Sequence, residues 1–329
     1  MKVVLFGGTG FIGRNLVRHL INRYGADLQL TVVTRRKGAV GEIHPVARPF
    51  VWDASQQSPP VKVLNGCDVV INLAGEIVAQ RWTRKVKELI RDSRVLTTRN
   101  IVESIGQASV KPRVLVNASA TGYYGSRGDE ELSEASGPGD DFLSRVCVGW
   151  EEEALRAREM GVRVVLARFG LVLGYDGGAM ERILPFFEWG IGGILGNGRQ
   201  WWSWIHIRDT VGAITHCIED ERISGAVNIV GPQPVRNRTF TKVLASVVGK
   251  PALFPVPAFA LRLLYGEMST ILLSSQKVIP SVLKDTGFSY QHPDLSEALA
   301  HIRYWRRQWE QGKPLEDSIS KGLPIMAQD

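Results

Sequence analysis

The stretch KVVLFGGTGFIG, residues 2–13, decides the fold of this 329-residue chain. A short apolar strand leads into a turn in which Gly7, Gly10 and Gly13 are spaced three residues apart, and a helical pattern follows. Glycine permits a tight turn and the close approach of a pyrophosphate, and the third glycine lets the helix pack on the strand. The helix N-terminus adds unpaired N–H groups. The stretch therefore predicts a dinucleotide phosphate site, and not an ordinary glycine turn, at Gly7, Thr9, Gly10, Phe11, Ile12 and Gly13.

Apolar, β-branched runs alternate with helical patterns through the first half of the chain. The strand-like runs cover 28–34, 49–53, 69–74, 114–118 and 162–169, and the helical patterns cover 10–23, 84–104 and 141–158. Strands that are apolar on both faces and separated by helices are typical of a doubly wound parallel sheet. The predicted fold class is therefore α/β, with a Rossmann-type sheet over residues 1–170.

The amino-acid composition changes after Gly170, where glycine, proline and tryptophan become more frequent. Helical patterns follow at 239–248, 258–268 and 295–311. These features predict a smaller, mixed substrate-side lobe over residues 171–329, with a small helical region at about 251–300. Short strands of this lobe can rejoin the main sheet, so the boundary near Gly170 is approximate.

The composition is that of a globular protein, with 44% hydrophobic and 22% charged residues. The net charge of +7 is spread along the chain, without the basic, aromatic-rich stripe of a nucleic-acid-binding protein. Cys67, Cys147 and Cys217 lie far apart, which predicts a reducing compartment and no metal site. No apolar run is long enough to cross a bilayer. We expect a cytoplasmic protein without a membrane or nucleic-acid partner. The sequence leaves open whether a transit peptide has been removed.

The end of the second strand distinguishes NAD from NADP. An acidic residue there would bind the ribose 2′-hydroxyl, whereas arginine accepts a 2′-phosphate. The strand ends in Arg35 and Arg36, which favours NADP over a merely solvated basic turn. Asp53, at the end of the third strand, either contacts the adenine amino group or begins a turn. After the fourth strand the predicted cofactor residues are Leu73, Ala74, Gly75 and Glu76.

These motifs resemble the extended short-chain dehydrogenases/reductases, the family that includes sugar-nucleotide epimerases. GGTGFIG, NLAG (72–75) and SATGYYG (119–125) occur in the family's order. The segments at 177–180, 184–209 and 273–280 resemble an atypical subgroup, the epimerase family protein SDR39U1 and its bacterial relatives, some of which carry a short C-terminal domain of unknown function. The resemblance covers nearly the whole chain and implies NADP as cofactor.

The resemblance also implies a catalytic Ser, Tyr and Lys, of which only the serine is present, as Ser119. Aligned on Trp150 and Glu151, the Tyr and Lys positions hold Leu143 and Cys147, and a shift by one residue gives Ser144 and Val148. The Tyr-x-x-x-Lys pair is therefore absent. Candidate replacements for the acid/base are Tyr123, Tyr124 and His206, each of which has an alternative role in packing.

Several further residues are candidates for substrate binding. Arg91 and Arg94 share one face of the 84–104 helix, where they either hold an anionic group or form a solvated basic face. In the lobe, a loop rich in glycine and tryptophan suits a small-molecule pocket, although its tryptophans can equally join the lobes. The candidates in this region are Arg199, Gln200, Trp204 and His206. Asp209 is predicted as the N-cap of the following helix.

Two classes of function remain open at this point. The first is an NADP(H)-dependent oxidoreductase or epimerase-like enzyme that acts on an unidentified small molecule, with Ser119 and Tyr123 as catalytic candidates. The second is a non-catalytic NADP(H)-binding regulator or interaction protein, which the missing Tyr and Lys favour. Extended relatives are often dimers, so a homodimer is compatible with the sequence, which does not specify the oligomeric state.

Overall fold

The computed structural model describes residues 1–35, 44–52, 59 and 61–311. Seven parallel strands form the central sheet in the order β11-β7-β5-β4-β1-β2-β3. In chain order, the strands are β1 (Lys2–Phe6), β2 (Gln29–Thr34), β3 (Arg48–Val51), β4 (Val69–Asn72), β5 (Val114–Ala120), β6 (Glu131–Leu132), β7 (Arg163–Phe169), β8 (Leu171–Leu173), β9 (Trp201–Trp202), β10 (Trp204–His206), β11 (Gly225–Ile229), β12 (Val235–Arg236) and β13 (Lys277–Val278). The predicted doubly wound α/β fold is confirmed.

Helices cover both faces of this sheet. In chain order they are α1 (Phe11–Tyr24), α2 (Val61–Leu64), α3 (Arg84–Gln107), α4 (Phe142–Leu155), α5 (Ala179–Glu188), α6 (Ile207–Glu219), α7 (Asn237–Val248), α8 (Ala258–Tyr265), α9 (Ser269–Leu273), α10 (Ser281–Asp285) and α11 (Leu295–Glu310). Val3 and Leu5 of β1 face the core shared with α1 and α6, while Val4 and Phe6 face the core shared with α3. The strands are therefore apolar on both faces, as their sequences predict.

A separate apolar core holds the lobe together. It joins α5, α7 and α11 through buried side chains that include Leu184, Phe240 and Ile302. The lobe does not stand apart from the sheet, because β11 pairs with β7 from Gly225 to Ile229. The chain thus returns from the lobe to complete the sheet, and Gly170 marks a change in the sequence within one continuous structure.

The carboxyl ends of β1, β2, β4 and β5 open onto one edge of the sheet, where the strand order reverses direction between β1 and β4. In open parallel sheets, ligands bind in this crevice. Within the part of the chain that the structure describes, no helix is both long and apolar enough to cross a membrane.

Candidate functional site

The glycines of the first turn are required by backbone contacts. Gly7 has a φ of +75°, and an added Cβ would lie 2.6 Å from the carbonyl carbon of Leu73. A Cβ at Gly13 would lie only 2.3 Å from the Gly7 oxygen and 2.6 Å from the Gly8 Cα. Backbone atoms cannot move aside as flexible side-chain ends can, so both positions exclude any larger residue. The turn therefore lies tightly against both the strand after β4 and its own helix.

The N-terminus of α1 has the features of an anion site. Gly10 is its N-cap residue, no side chain caps it, and the first turn holds no acidic residue. Thr9 and Gly10 are exposed. The N–H groups of Phe11, Ile12 and Gly13 therefore face the crevice without a side-chain acceptor from the cap, which is the arrangement that binds phosphates. A cofactor diphosphate fits this cradle.

The Phe11 side chain points away from this cradle. Its ring lies in a slot lined by Gly174, Gly177 and Gly178, where added Cβ atoms would stand 2.6, 2.8 and 2.6 Å from the nearest atoms of Phe11 or Arg14. Only the Phe11 backbone is thus placed for the predicted cofactor contact. The ring instead fixes the loop after β8 to the phosphate turn.

A buried carboxylate strengthens the same junction. Asp176, in the loop after β8, accepts a hydrogen bond of 2.9 Å from Arg14 Nε and lies 3.6 Å from Arg18. Asn15 donates to it as well. Helix α1 is therefore attached to this loop by hydrogen bonds from Arg14 and Asn15 and by the charge of Arg18, which holds the helix N-terminus in a fixed place.

Of the residues predicted to bind the adenosine half of the cofactor, the structure describes Arg35. Arg35 is exposed directly after β2, where a 2′-phosphate clamp is predicted. Arg36 and Asp53 lie outside the described residues, so their predicted roles remain predictions.

The strand β4 ends in the predicted cofactor segment. The Ala74 N–H donates to the side-chain oxygen Oδ1 of Asn72 at 3.2 Å, and Gly75 is exposed. The Glu76 N–H donates to the Ser93 hydroxyl, and its carbonyl accepts from Arg94. The backbone of Leu73 and Ala74 is the part that contacts the glycine turn. Helix α3 therefore holds this segment in place beside the phosphate cradle.

Ser119 takes part in a buried ion-pair network. Its hydroxyl donates to Glu151 of α4 at 2.6 Å, and Arg168 of β7 binds both Glu151 oxygens at 2.8 Å. All three residues are at most 5% exposed. Burial alone would lower the pKa of Arg168, but the hydrogen bonds to Glu151 raise it above its ordinary value. The catalytic role predicted for Ser119 remains a prediction, and the structure shows its hydroxyl committed to Glu151.

The two tyrosines of the next turn differ in their surroundings. Tyr124 is fully buried, donates to Asn228 at 2.7 Å and accepts from Arg168. Burial raises its pKa. Tyr123 is half-buried, and the Arg168 guanidinium lies 3.5 Å from its ring centroid. Among the described residues, its hydroxyl forms no hydrogen bond. Tyr123 is therefore the tyrosine that is free to contact a ligand.

The positions of the missing catalytic pair are apolar and packed. A Cβ at Gly122 would lie 3.4 Å from Cβ of Leu143 and 4.0 Å from Sγ of Cys147. Burial raises the pKa of the Cys147 thiol to about 12. Neither side chain can donate a proton at neutral pH with the ease that the family chemistry requires.

The predicted substrate residues of the lobe are mostly held by internal contacts. Gln200 is 6% exposed and donates to the carbonyls of Leu195 and Leu272. Trp204 is 1% exposed and donates to the Gln233 carbonyl. Arg199 is exposed. The geometry therefore gives no support to a substrate contact for Gln200 or Trp204, and the assignment of these residues remains a prediction.

His206 lies at the centre of a histidine cluster. It is fully buried, and its Nε2 lies 3.2 Å from Nδ1 of His301, while the centroid of the tilted His292 ring lies 4.0 Å from its own. The Arg208 N–H donates to Nδ1 of His206. This hydrogen bond assigns the proton to Nε2, which then donates to His301. His206 is thus tied into the lobe core and away from the crevice.

Ring nitrogens of this cluster lie within 4.8 Å of one another, close enough for a metal ion. The hydrogen bonds within the cluster already use Nδ1 and Nε2 of His206 and Nδ1 of His301. Burial is the main reason that the pKa of all three histidines is lowered. The positive charge of Arg208 lowers the pKa of each of them further. A cation bound by His206 would have to displace one of these contacts next to Arg208, whereas Nε2 of His292 and Nε2 of His301 are buried without a hydrogen-bond partner among the described residues.

The prediction for Asp209 is wrong. Helix α6 begins at Ile207, and its N-cap is His206. Asp209 lies inside the first turn, where its carboxylate accepts from the N–H groups of Gln291 and His292. It therefore connects the helix to the C-terminal region.

Sequence reasoning missed the ion pair between Glu151 and Arg168. The signal was present, because Arg168 interrupts the otherwise apolar strand RVVLARF. An arginine at a buried position of a strand needs carboxylate or carbonyl partners, since an unpaired buried charge is very costly.

Comparison with known families agrees with this architecture. The model of the NAD dependent epimerase/dehydratase family matches residues 3–230, and a domain of unknown function, DUF1731, matches residues 256–302. The second match covers most of the helical region predicted at about 251–300.

Individual relatives extend over nearly the whole chain. The epimerase family protein SDR39U1 homolog of Arabidopsis thaliana, described as chloroplastic, is 40% identical over 92% of this chain and 86% of its own length. The epimerase family protein YfhF of Bacillus subtilis is 36% identical over 92% of this chain and 98% of its own.

Solved structures are similar as well. Human epimerase family protein SDR39U1, crystallised with NADPH, has a TM-score of 0.81 at 34% identity and covers 92% of this chain and 99% of its own. UDP-glucuronic acid 4-epimerase from Bacillus cereus, solved with NAD, has a TM-score of 0.76 at 18% identity over 95% of this chain and 99% of its own, a similarity of fold alone.

Proposed function

The chain belongs to the NAD dependent epimerase/dehydratase family, and on that premise we propose that it is an NADP(H)-dependent oxidoreductase or epimerase-like enzyme. Its substrate would be a small molecule held between the sheet edge and the lobe. The observation that carries the proposal is the uncapped N-terminus of α1, which faces the crevice inside a glycine cradle.

The choice of NADP over NAD rests on charge at the end of β2. Arg35 is exposed there, and a guanidinium binds a phosphate with two parallel hydrogen bonds. The human relative of known structure was crystallised with NADPH, whereas several more distant ones hold NAD. These facts favour a 2′-phosphate at this position.

A bound nicotinamide would supply the hydride, so the chain must supply binding, orientation and a proton. Tyr123 is the best placed proton donor, because its hydroxyl is free among the described residues and a guanidinium lies against its ring. The Glu151–Arg168 pair holds that guanidinium in place.

One observation favours the second function, an NADP(H)-binding regulator. Leu143 and Cys147 fill the positions of the missing pair and pack against the turn that follows β5. A protein that only senses the cofactor needs no proton donor there.

The two functions are separated by titration and turnover. We expect NADPH to bind at least tenfold more tightly than NADH. Nicotinamide absorbance is then followed with a panel of carbonyl compounds and nucleotide sugars. Oxidation of NADPH supports the enzyme, and Tyr123→Phe should then lower kcat at least a hundredfold. Tyr124→Phe, which alters a buried neighbour, is the matched control. Equal affinity for NADH and NADPH would exclude the 2′-phosphate site.

A further inference from the structure

Arg94 lies against the segment that follows β4. It belongs to α3, and its guanidinium donates to the carbonyls of Ile90 and Glu76 at 2.9 Å. A Cβ at Gly75 would stand 3.0 Å from the Arg94 Cζ. The side chain therefore lies directly beneath the segment that follows β4.

In the described part of the chain, Arg94 forms no direct ion pair with a carboxylate, although the charge of Glu76 opposes in part the lowering of its pKa by burial. No ion pair among the described residues includes Arg94, and its other partners are two carbonyls and the Trp150 ring, 5.2 Å away. Burial lowers its pKa. A guanidinium has five N–H donors, of which these carbonyls use two. A half-buried cation with spare donors is stabilised by a ligand that brings oxygen acceptors.

The order of the strands indicates which half of a bound dinucleotide would lie near Arg94. The phosphate cradle follows β1, and the adenosine side lies over β2, where Arg35 stands. The other half must then extend in the opposite direction, over β4 and β5. Arg94 lies on that side, beside the end of β4 and against α4.

Helix α4 is also where the resemblance places the missing lysine. Cys147 occupies that position, and its electrostatic interaction with Arg94 shows that the two side chains are near each other. A cation is therefore present in this region, but it comes from α3 and not from α4.

We propose that Arg94 is the fixed cation of the nicotinamide side of the crevice, where its free N–H groups bind the nicotinamide ribose. This inference rests on the proposed function. Arg94 would thereby position the cofactor, a task that the resemblance gives to the missing lysine. Arg91, one turn away, is exposed and paired with Asp92, so it does not share this role.

The test compares two ligands that differ in the nicotinamide half. NADPH and adenosine 2′,5′-bisphosphate, which lacks the nicotinamide ribose, are titrated by calorimetry into the wild type and Arg94→Gln. We expect the variant to bind NADPH at least tenfold more weakly and the bisphosphate within twofold of the wild type. Arg91→Gln, the matched control, should bind both normally.

Each other outcome overturns a specific claim. If the wild type does not bind NADPH, the proposed function fails. If the wild type binds NADPH and Arg94→Gln binds it equally well, only the role of Arg94 fails. A parallel loss for both ligands would also overturn that role, since it would indicate general damage to the site. Should Arg94→Gln not fold, Arg94→Lys keeps the charge, and it must still weaken NADPH binding selectively.

Discussion

The ring of Phe11 lies so close to Gly174 that a Cβ added at Gly174 would stand 2.6 Å from the ring's Cζ. This contact joins the first residue of α1 to the loop after β8. Because Phe11 also offers its backbone N–H to the crevice, the packing of its ring sets the position of the phosphate cradle. A part of the lobe remote in sequence thus shapes the predicted cofactor site.

We expect Gly174→Ala to destabilise the protein by about 2 kcal/mol, because the new Cβ would stand 2.6 Å from the Phe11 ring and 3.1 Å from Cγ2 of Ile207, so both side chains must shift. NADPH binding should weaken as well, since the displaced ring pulls on the helix N-terminus. Thermal melting and calorimetry measure the two effects. Phe11→Leu in the same chain should relieve part of the clash, giving non-additive changes. Gly137→Ala, whose Cβ meets nothing within 4 Å, is the control. Simple additivity would argue against the contact.

Gly13→Ala should abolish measurable NADPH binding. The new Cβ would lie 2.3 Å from the Gly7 oxygen, so the turn must open to admit it. Gly149→Ala places a methyl group in α4 with only an ordinary contact of 3.7 Å to Val95. That control should bind NADPH normally and gain up to about 1 kcal/mol of stability from helix propensity. Normal affinity in Gly13→Ala would mean that the cofactor does not depend on this turn.

The sheet could be predicted from the sequence because strands that are buried on both faces are continuous apolar runs, and such runs are visible in a short stretch of sequence. The final strand, Gly225–Ile229, was not assigned. It follows a long excursion through the lobe, outside the regular alternation of strands and helices, so only its pairing with β7 identifies it. The phosphate turn was predictable because the spacing of its glycines between a strand and a helix is a local pattern, although the contact of Gly7 with Leu73 is not local.

The candidate catalytic region was less predictable because its contacts connect distant parts of the chain. Ser119 was identified by its place at a strand end, but its partner Glu151 lies 32 residues away. The cluster of His206, His292 and His301 likewise joins two regions that no periodicity relates. The sequence left His206 as either a packed structural histidine or a substrate contact, and its burial agrees with the first of these.

Glu151→Gln should destabilise the protein by roughly 3–5 kcal/mol, because the buried Arg168 would lose its counter-charge. Glu88→Gln breaks an exposed pair, with Arg84 94% exposed, and should cost less than about 1 kcal/mol. Urea unfolding of both variants gives the comparison. Equal, small effects would show that the Glu151 pair is solvated.

Acid should weaken the lobe through its histidine cluster. Burial lowers the pKa of His292 to about 4 and that of His301 to about 2. It lowers the pKa of His206 as well. Below the ordinary value of 6.5 the unfolded chain therefore binds more protons than the folded one, so stability falls as pH falls. Asp209 opposes this, because burial raises its pKa to about 6 and the folded state then takes up a proton first.

Three histidines against one carboxyl leave a net loss, on the order of 2–4 kcal/mol between pH 7 and pH 5. Urea unfolding at pH 7, 6 and 5 measures the slope. His301→Phe keeps an aromatic ring beside Trp305 and removes one titrating group, so its stability should depend less steeply on pH than that of the wild type. An identical slope in wild type and variant would mean that His301 binds its proton equally well in both states. Burying His301 beside His206 and Arg208 would then have no effect on its pKa, which would contradict the electrostatic role that we assign to this cluster.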